Sequence, residues 1–180
     1  MKLTLVPSDE SVLRAKAARV ANPPSVTKLA SDLHETMLAE GGVGLAAPQV
    51  GKGVRVFVSG AERPLTFINP EITWSSGEQI WWEEGCLSLP RLLGQVKRPK
   101  EVKVRALDPS GGTFRLQADG LLARVIQHEI DHLDGIMFTD RMEDLSSLKR
   151  ITEAEWESRH QANRAKQTDQ APEGTASELV

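Results

Sequence analysis

The sequence predicts an α+β fold: small, mostly antiparallel sheets around one central helix, with further helices towards the N- and C-termini. Three observations predict it. Residues 119–135 place Leu122, Ile126, Ile130 and Leu133 at helical spacing, with Asp119 as a candidate N-cap and Gly135 as a stop. From residue 54 to residue 118 the chain runs instead in short, strand-like segments broken by Asn-Pro and Asp-Pro turns. On either side of these, residues 25–40 and 145–166 read as helices, the second highly charged with few apolar anchors.

A chain of 180 residues is long enough for one domain with a proper core and no covalent staples. A net charge of −3 with 26% charged residues describes an ordinary globular surface and gives no support for a nucleic-acid-binding face. The single cysteine, Cys86, rules out an internal disulfide and suits a reducing compartment. The first residues meet charges almost at once, and no stretch approaches the roughly 20 apolar residues of a membrane span. The expected location is the cytoplasm, with no membrane partner.

Taken in order, the first 20 residues show no sharp period, and Pro23-Pro24 punctuate them. Ser25 is placed to cap the first helix, whose apolar face is Val26, Leu29, Ala30, Leu33 and Met37. His34 falls on its polar side and reads as a surface residue. Gly41-Gly42 ends this helix and opens the run Gly42 to Gln49, whose small residues let backbone approach a ligand or a neighbouring strand. It is no phosphate loop, having neither a G-K-[ST] ending nor G-x-G-x-x-G. Strands are expected at 54–58, 66–68 and 72–74, the last two broken by Asn69-Pro70. Trp81 and Trp82 read as wall and core rather than a stacking platform. A hairpin over 102–107 and 113–118 then delivers the chain to the central helix. Beyond it, Ile136 to Phe138 reads as a short buried strand or turn, His160 as solvated, and 167–180 as a disordered polar tail.

The central helix contains Gln127-His128-Glu129-Ile130-Asp131-His132, an H-E-x-x-H pattern. His128 and His132 lie one turn apart on one face, so both imidazoles can reach a single metal ion. Glu129 stands beside the first of them, placed to take a proton from water that the metal activates. Two incidental helical histidines fit the pattern as well, so a third ligand decides. Catalytic sites of the zinc type draw three protein ligands from His, Cys and carboxylate and keep a position open. The only cysteine stands in Glu84-Gly85-Cys86-Leu87-Ser88, and with the two histidines it completes such a set.

The three blocks GVGLAAPQ (42–49), EGCLS (84–88) and QHEIDH (127–132) resemble, in order and in separation, the three signature motifs of peptide deformylases. The likeness runs from about Val12 to Arg141. It implies a metal-dependent hydrolase that removes the formyl group from N-formylmethionine at the start of new polypeptides, with N-formylmethionyl nascent peptides as its partners. Carried over residue by residue, Cys86, His128 and His132 hold the metal and Glu129 is the general acid/base. Gln49 and the backbone N–H of Leu87 form the oxyanion hole. The implied ion is Fe(2+), with Zn(2+) or Ni(2+) able to occupy the same ligands. The catalytic unit spans 1–144, followed by the charged helix at 145–166 and the tail at 167–180.

Val43, Gly44, Leu89, Leu121 and Val125 are the candidates for the pocket that takes the methionine. Glu84 and Arg98 are expected to pair and fix the loop that carries Cys86, as metal ligands need oriented neighbours; two surface charges is the other reading. Arg124 departs from the resemblance, standing one turn before His128 where an apolar residue is usual. Two orientations are open to it: snorkelling to the pocket rim to meet the peptide downstream of methionine, or bending to solvent. The charged C-terminal helix is open to two readings also, docking near the ribosomal exit or a solvated appendage. The rival functions are an H-E-x-x-H metallopeptidase, a closed structural metal site, and a catalytically inactive deformylase-like protein.

Overall fold

Val56-Phe57-Val58-Ser59 forms a strand (β2) buried along its whole length, and the fold is built on its two faces. Val56 and Val58 join Leu33, Met37, Leu45 and Ile68 in one core cluster beside helix α1 (Thr27–Ala39). Phe57 points the other way, stacking on Phe67 at 4.4 Å between ring centroids. There it meets Leu122, Ile126, Ile130 and Leu133, the apolar stripe of helix α2 (Gly120–Leu133). One sheet thus has a helix on each face, which explains why β2, inside it, does not alternate apolar and polar.

The computed structural model describes residues 1–168. Its larger sheet has the order β1-β2-β3-β6-β7, with β1 Gly44–Ala46, β3 Leu65–Ser75, β6 Val102–Leu107 and β7 Thr113–Ala118. The smaller sheet is β4-β5-β8, with β4 Gln79–Cys86, β5 Leu89–Pro99 and β8 Lys149–Arg150. Every strand pair in both sheets is antiparallel. A third apolar cluster, Leu13, Val96, Met137, Phe138 and Met142 with Cys86, packs beside the smaller sheet. Helix α3 (Glu153–Thr168) follows β8. Among the described residues no helix is long and apolar enough to cross a membrane.

The α+β expectation and the central helix stand, with several boundaries corrected. The strands expected at 66–68 and 72–74 are one strand, β3, because Asn69 is absorbed as a bulge at φ 50°. Asparagine tolerates that conformation, and its side chain is tied to Val20 by two hydrogen bonds of 2.8 Å. Ser25 does not cap α1; it lies in a 3₁₀ turn (Pro23–Val26) ahead of the helix. Asp119 precedes α2 without a side-chain capping bond. At the other end the stop is as read. Gly135, at φ +76°, ends α2 with Gly135 N–H donating to His132 C=O and Ile136 N–H to Asp131 C=O. The helix expected over 145–166 begins only at Glu153, since Leu145–Ser147 is a 3₁₀ turn and Lys149–Arg150 pairs with β5 as β8. Of the expected 167–180 tail, 167 and 168 end α3, and 169–180 lie outside the described residues.

Candidate active site

Two strand edges and one helix converge here. β1 and β4 are edge strands of their separate sheets, and residues of both, with α2, line a cavity of about 360 Å³. α2 presents His128 and His132 to it because its apolar stripe is committed to the larger sheet, which leaves the histidine face for the cleft. β4 ends in Cys86. The ligand atoms of Cys86, His128 and His132 lie within 4.8 Å of one another, with Cys86 Sγ 3.2 Å from His132 Nε2. These three come from motifs more than 40 residues apart in sequence.

The donor set has the composition of a catalytic metal centre: one thiol, two imidazoles and no fourth protein ligand in the group. Burial works against a charged thiolate, yet the His132 and His128 rings beside it outweigh burial and hold the Cys86 thiol well below its ordinary range. His128 Nδ1 lies 2.9 Å from Glu84 Oε2, so the carboxylate accepts that N–H and Nε2 is the nitrogen left for a metal. Burial likewise opposes the Glu84 charge, but His128 and Arg98 keep its carboxyl well below the usual range. Arg98 grips Glu84 at 2.7 and 3.0 Å and Asp131 at 2.7 Å, and Arg141 holds Asp131 from the other side at 2.6 Å. The expected Glu84–Arg98 pair is therefore present and buried, and Asp131 accepts from arginines rather than from an imidazole.

Glu129 is buried, and burial pushes its carboxyl up to about 7, with His128 and His132 pulling the other way. Its Oε2 and the Nδ1 of His132 are the two buried side-chain polar atoms, among the described residues, that no protein group satisfies. An unsatisfied carboxylate oxygen beside three metal-type donors is a place for a water or a substrate proton. The residues therefore fit a divalent metal. Gln49 is buried with its amide set by its neighbours: Oε1 accepts from Ala46 N–H at 2.8 Å, while Nε2 points to Ser88 Oγ at 3.2 Å and Cys86 Sγ at 3.5 Å. Leu87 follows Cys86 at the cavity wall. Gly44 lines it too, and a methyl there would run into Glu129 Oε1 and lie 2.7 Å from Val125 Cγ1.

Of the expected pocket residues, Val43, Gly44, Leu121 and Val125 line the cavity. Leu89 does not; it packs against the cluster beneath the smaller sheet. Trp82, read as wall and core, is wall: it is 38% exposed and lines the cavity with Leu121. Arg124 neither reaches a rim nor turns to solvent. It is buried, bonded to Glu84 and to backbone carbonyls. Sequence reasoning missed the wall contributed by α3: Trp156, Arg159, His160 and Asn163 all line the cavity. His160 is buried, edge-on to Trp156 at 4.1 Å, and Asn163 donates to Gly41 C=O at 3.1 Å. Arg159 pairs with Glu83 of β4 at 2.9 Å, so α3 spans both lips of the cleft.

The family model described as polypeptide deformylase matches residues 2–148. A peptide deformylase of Thermomicrobium roseum is 46% identical over 167 residues, covering 86% of this chain and 93% of that protein. Among solved structures, peptide deformylase from Thermotoga maritima aligns with a TM-score of 0.77 at 37% identity, over 80% of this chain and 99% of that one. A class I type b peptide deformylase from Acinetobacter baumannii, with Met-Ala-Ser bound, aligns at 0.75 and 37% identity over 79% and 99%. With the family model spanning most of the chain and a relative of this closeness covering nearly all of both, the chain belongs to the polypeptide deformylase family.

Proposed function

We propose that the chain is a metal-dependent peptide deformylase in which Cys86, His128 and His132 hold the metal and Glu129 moves the protons. Removal of the formyl group from the N-terminal methionine of new polypeptides is the reaction of the family to which it belongs. One observation carries the residue assignment: three metal-type donors within 4.8 Å of one another, with a buried carboxylate oxygen of Glu129 left free beside them.

When bound, a divalent ion acidifies water from about 15.7 towards 7 and so supplies a nucleophile at neutral pH. Glu129, with its carboxyl raised to about 7, is suited to take the proton of the attacking water and return it to the leaving amine. The charge that builds on the formyl oxygen is met by Gln49 Nε2–H, which lies beside Cys86, and by the backbone N–H of Leu87 in the cavity wall. Gln49 is rigid because its own oxygen is already bonded to Ala46. The free edges of β1 and β4 offer backbone groups to an extended peptide lying between them. Val43, Leu121, Val125 and Trp82 then form an apolar pocket for the methionine side chain. Met-Ala-Ser in the Acinetobacter structure is a peptide of the length and first residue such a site would take.

Fe(2+) is the proposed ion, on the strength of the family resemblance, with Zn(2+) and Ni(2+) compatible with the same donors. The cytoplasm, where formylated chains arise, is the proposed location. The outward face of α3, with Glu157 and Gln161 exposed, is proposed to dock near the ribosomal exit, which co-sedimentation of the full chain with ribosomes tests. The enzyme assay uses anaerobic, iron-loaded protein and a formyl-Met-Ala-Ser peptide. Wild type is expected to release formate, and Glu129→Ala to keep its metal while losing activity. No release from loaded wild type would make the chain an inactive relative, and cleavage of an internal peptide bond would favour the metallopeptidase reading.

A further inference from the structure

Arg124 enters none of the steps above, yet it is 5% exposed in the wall of the catalytic cavity. Its partners explain the position. One terminal nitrogen donates to Glu84 Oε1 at 2.9 Å and to Val96 C=O at 3.2 Å; the other donates to Ile80 C=O at 3.0 Å. The guanidinium lies 5.8 Å from the centre of the Trp82 ring. One side chain of α2 thus holds two points on β4, the strand that ends in Cys86, and one on β5. Glu84 links this grip to a ligand. Its Oε1 is held by Arg124 and Arg98 at 2.9 and 2.7 Å, which orients Oε2 towards His128 Nδ1 at 2.9 Å.

We propose that Arg124 is a positioning residue, a clamp between α2 and β4 that sets Cys86 and the His128 ring in register for one metal ion. The proposal rests on Cys86, His128 and His132 being the metal ligands. A planar fork with several donors is what the geometry requires, since three acceptors on two strands are reached from one guanidinium. Shortening it, or removing its donors while keeping its bulk, leaves Glu84 to Arg98 and His128. It also releases the backbone of β4 at Ile80 and of β5 at Val96 from α2, so the register between Cys86 and the His128 ring loosens.

The test is Co²⁺ binding to the full chain by competition with a chromophoric chelator, together with the visible spectrum of the Co²⁺ form. For Arg124→Met we expect Co²⁺ affinity lower by about 10- to 100-fold, the range typical for losing a group that orients a metal ligand, with a shifted thiolate band. Arg124→Lys, which keeps the charge but not the fork, is expected to restore only part of both. Phe67→Leu, a core change outside the hydrogen-bond network of the ligands, serves to match the loss of thermal stability and is expected to keep wild-type affinity. Wild-type affinity and spectrum in a folded Arg124→Met would overturn the proposal. So would equal weakening in Phe67→Leu, which would reduce Arg124 to a stability residue. Should Arg124→Met not fold, Arg124→Lys decides on the same readings: weakened affinity supports the clamp, and wild-type affinity overturns it. Metal binding rather than formate release is the readout, so this failure is distinguishable from failure of the hydrolase reading.

Discussion

At the scale of single residues, the four histidines are placed differently: two belong to the metal-type group, one meets β3 and one lines the cavity from α3. His128 and His132 announce themselves by a helical spacing, and Cys86 by being the only thiol among motifs in register. No comparable signal marks Arg124 or the two surface-seeming histidines. His34 sits on the flank of α1, which a helical projection counts as outer. Yet α1 lies on a sheet wider than itself, and His34 Nε2 meets Thr66 Oγ1 of β3 at 3.1 Å. Burial lowers its pKa below the ordinary 6.5, so the fold keeps the ring neutral where an unfolded chain already takes up a proton. Stability from this site is therefore complete above about pH 6.5 and declines as pH falls below it, until the folded ring also protonates. Thermal midpoints measured from about pH 7.5 to about pH 5 should fall less steeply in His34→Gln than in wild type. Parallel curves would show that burial of His34 contributes nothing to the slope.

Elements were readable where one periodicity ruled and unreadable where two faces are buried or pairing is distant in sequence. α2 kept its predicted stripe and its stop because both are local properties. β5 carries Pro90 and Gly94, residues that speak against a strand, and β8 is two residues long and exists only because Leu92 and Leu93 lie opposite it. The α3 wall of the cavity is equally a product of the fold, since its charged sequence does not show which residues will meet Gly41 and Glu83. Between elements, the closest tolerance is that of β1 against α2 at Gly44. A side chain there must displace Glu129 or Val125. Gly44→Ala is expected to lower kcat at least about 10-fold, because one of the groups it meets is Glu129, the proposed proton carrier. Steady-state kinetics on a formyl-Met peptide, read with a melting curve, checks this; an unaltered kcat would mean that the lip moves rather than the carboxylate.

Across the whole molecule, the two sheets share no strand, and the buried charges between α2 and the smaller sheet are one of the junctions between them. Arg98, on β5, is central to that junction, with Glu84 and Asp131 on opposite sides of its guanidinium. Removing it would leave Glu84 to Arg124 and His128, and Asp131 to Arg141 alone. Breaking a buried pair of this kind typically costs about 3–5 kcal/mol. In a chain of this length each kcal/mol lowers the midpoint by roughly 2–4 °C, so Arg98→Met is expected to melt about 6–20 °C below wild type. A loss within about 2 °C would show that Arg124 and Arg141 carry the junction without it. The charge network was half readable in advance: Glu84–Arg98 follows from the need to brace a ligand loop, whereas its extension through Asp131, Arg124 and Arg141 depends on three elements meeting at one point.

The position of α3 in the chain also gives the enzyme a timetable. Synthesis runs from the N-terminus at about 5–20 residues per second, so both lips of the cleft and all three metal-type donors are made before the helix that bridges them. The span from Gly41 to Glu83 is therefore made later than the donors that it encloses, and Trp156, Arg159 and Asn163 close that side of the cleft after them. Order of synthesis makes the α3 wall an addition to a site whose donors already exist.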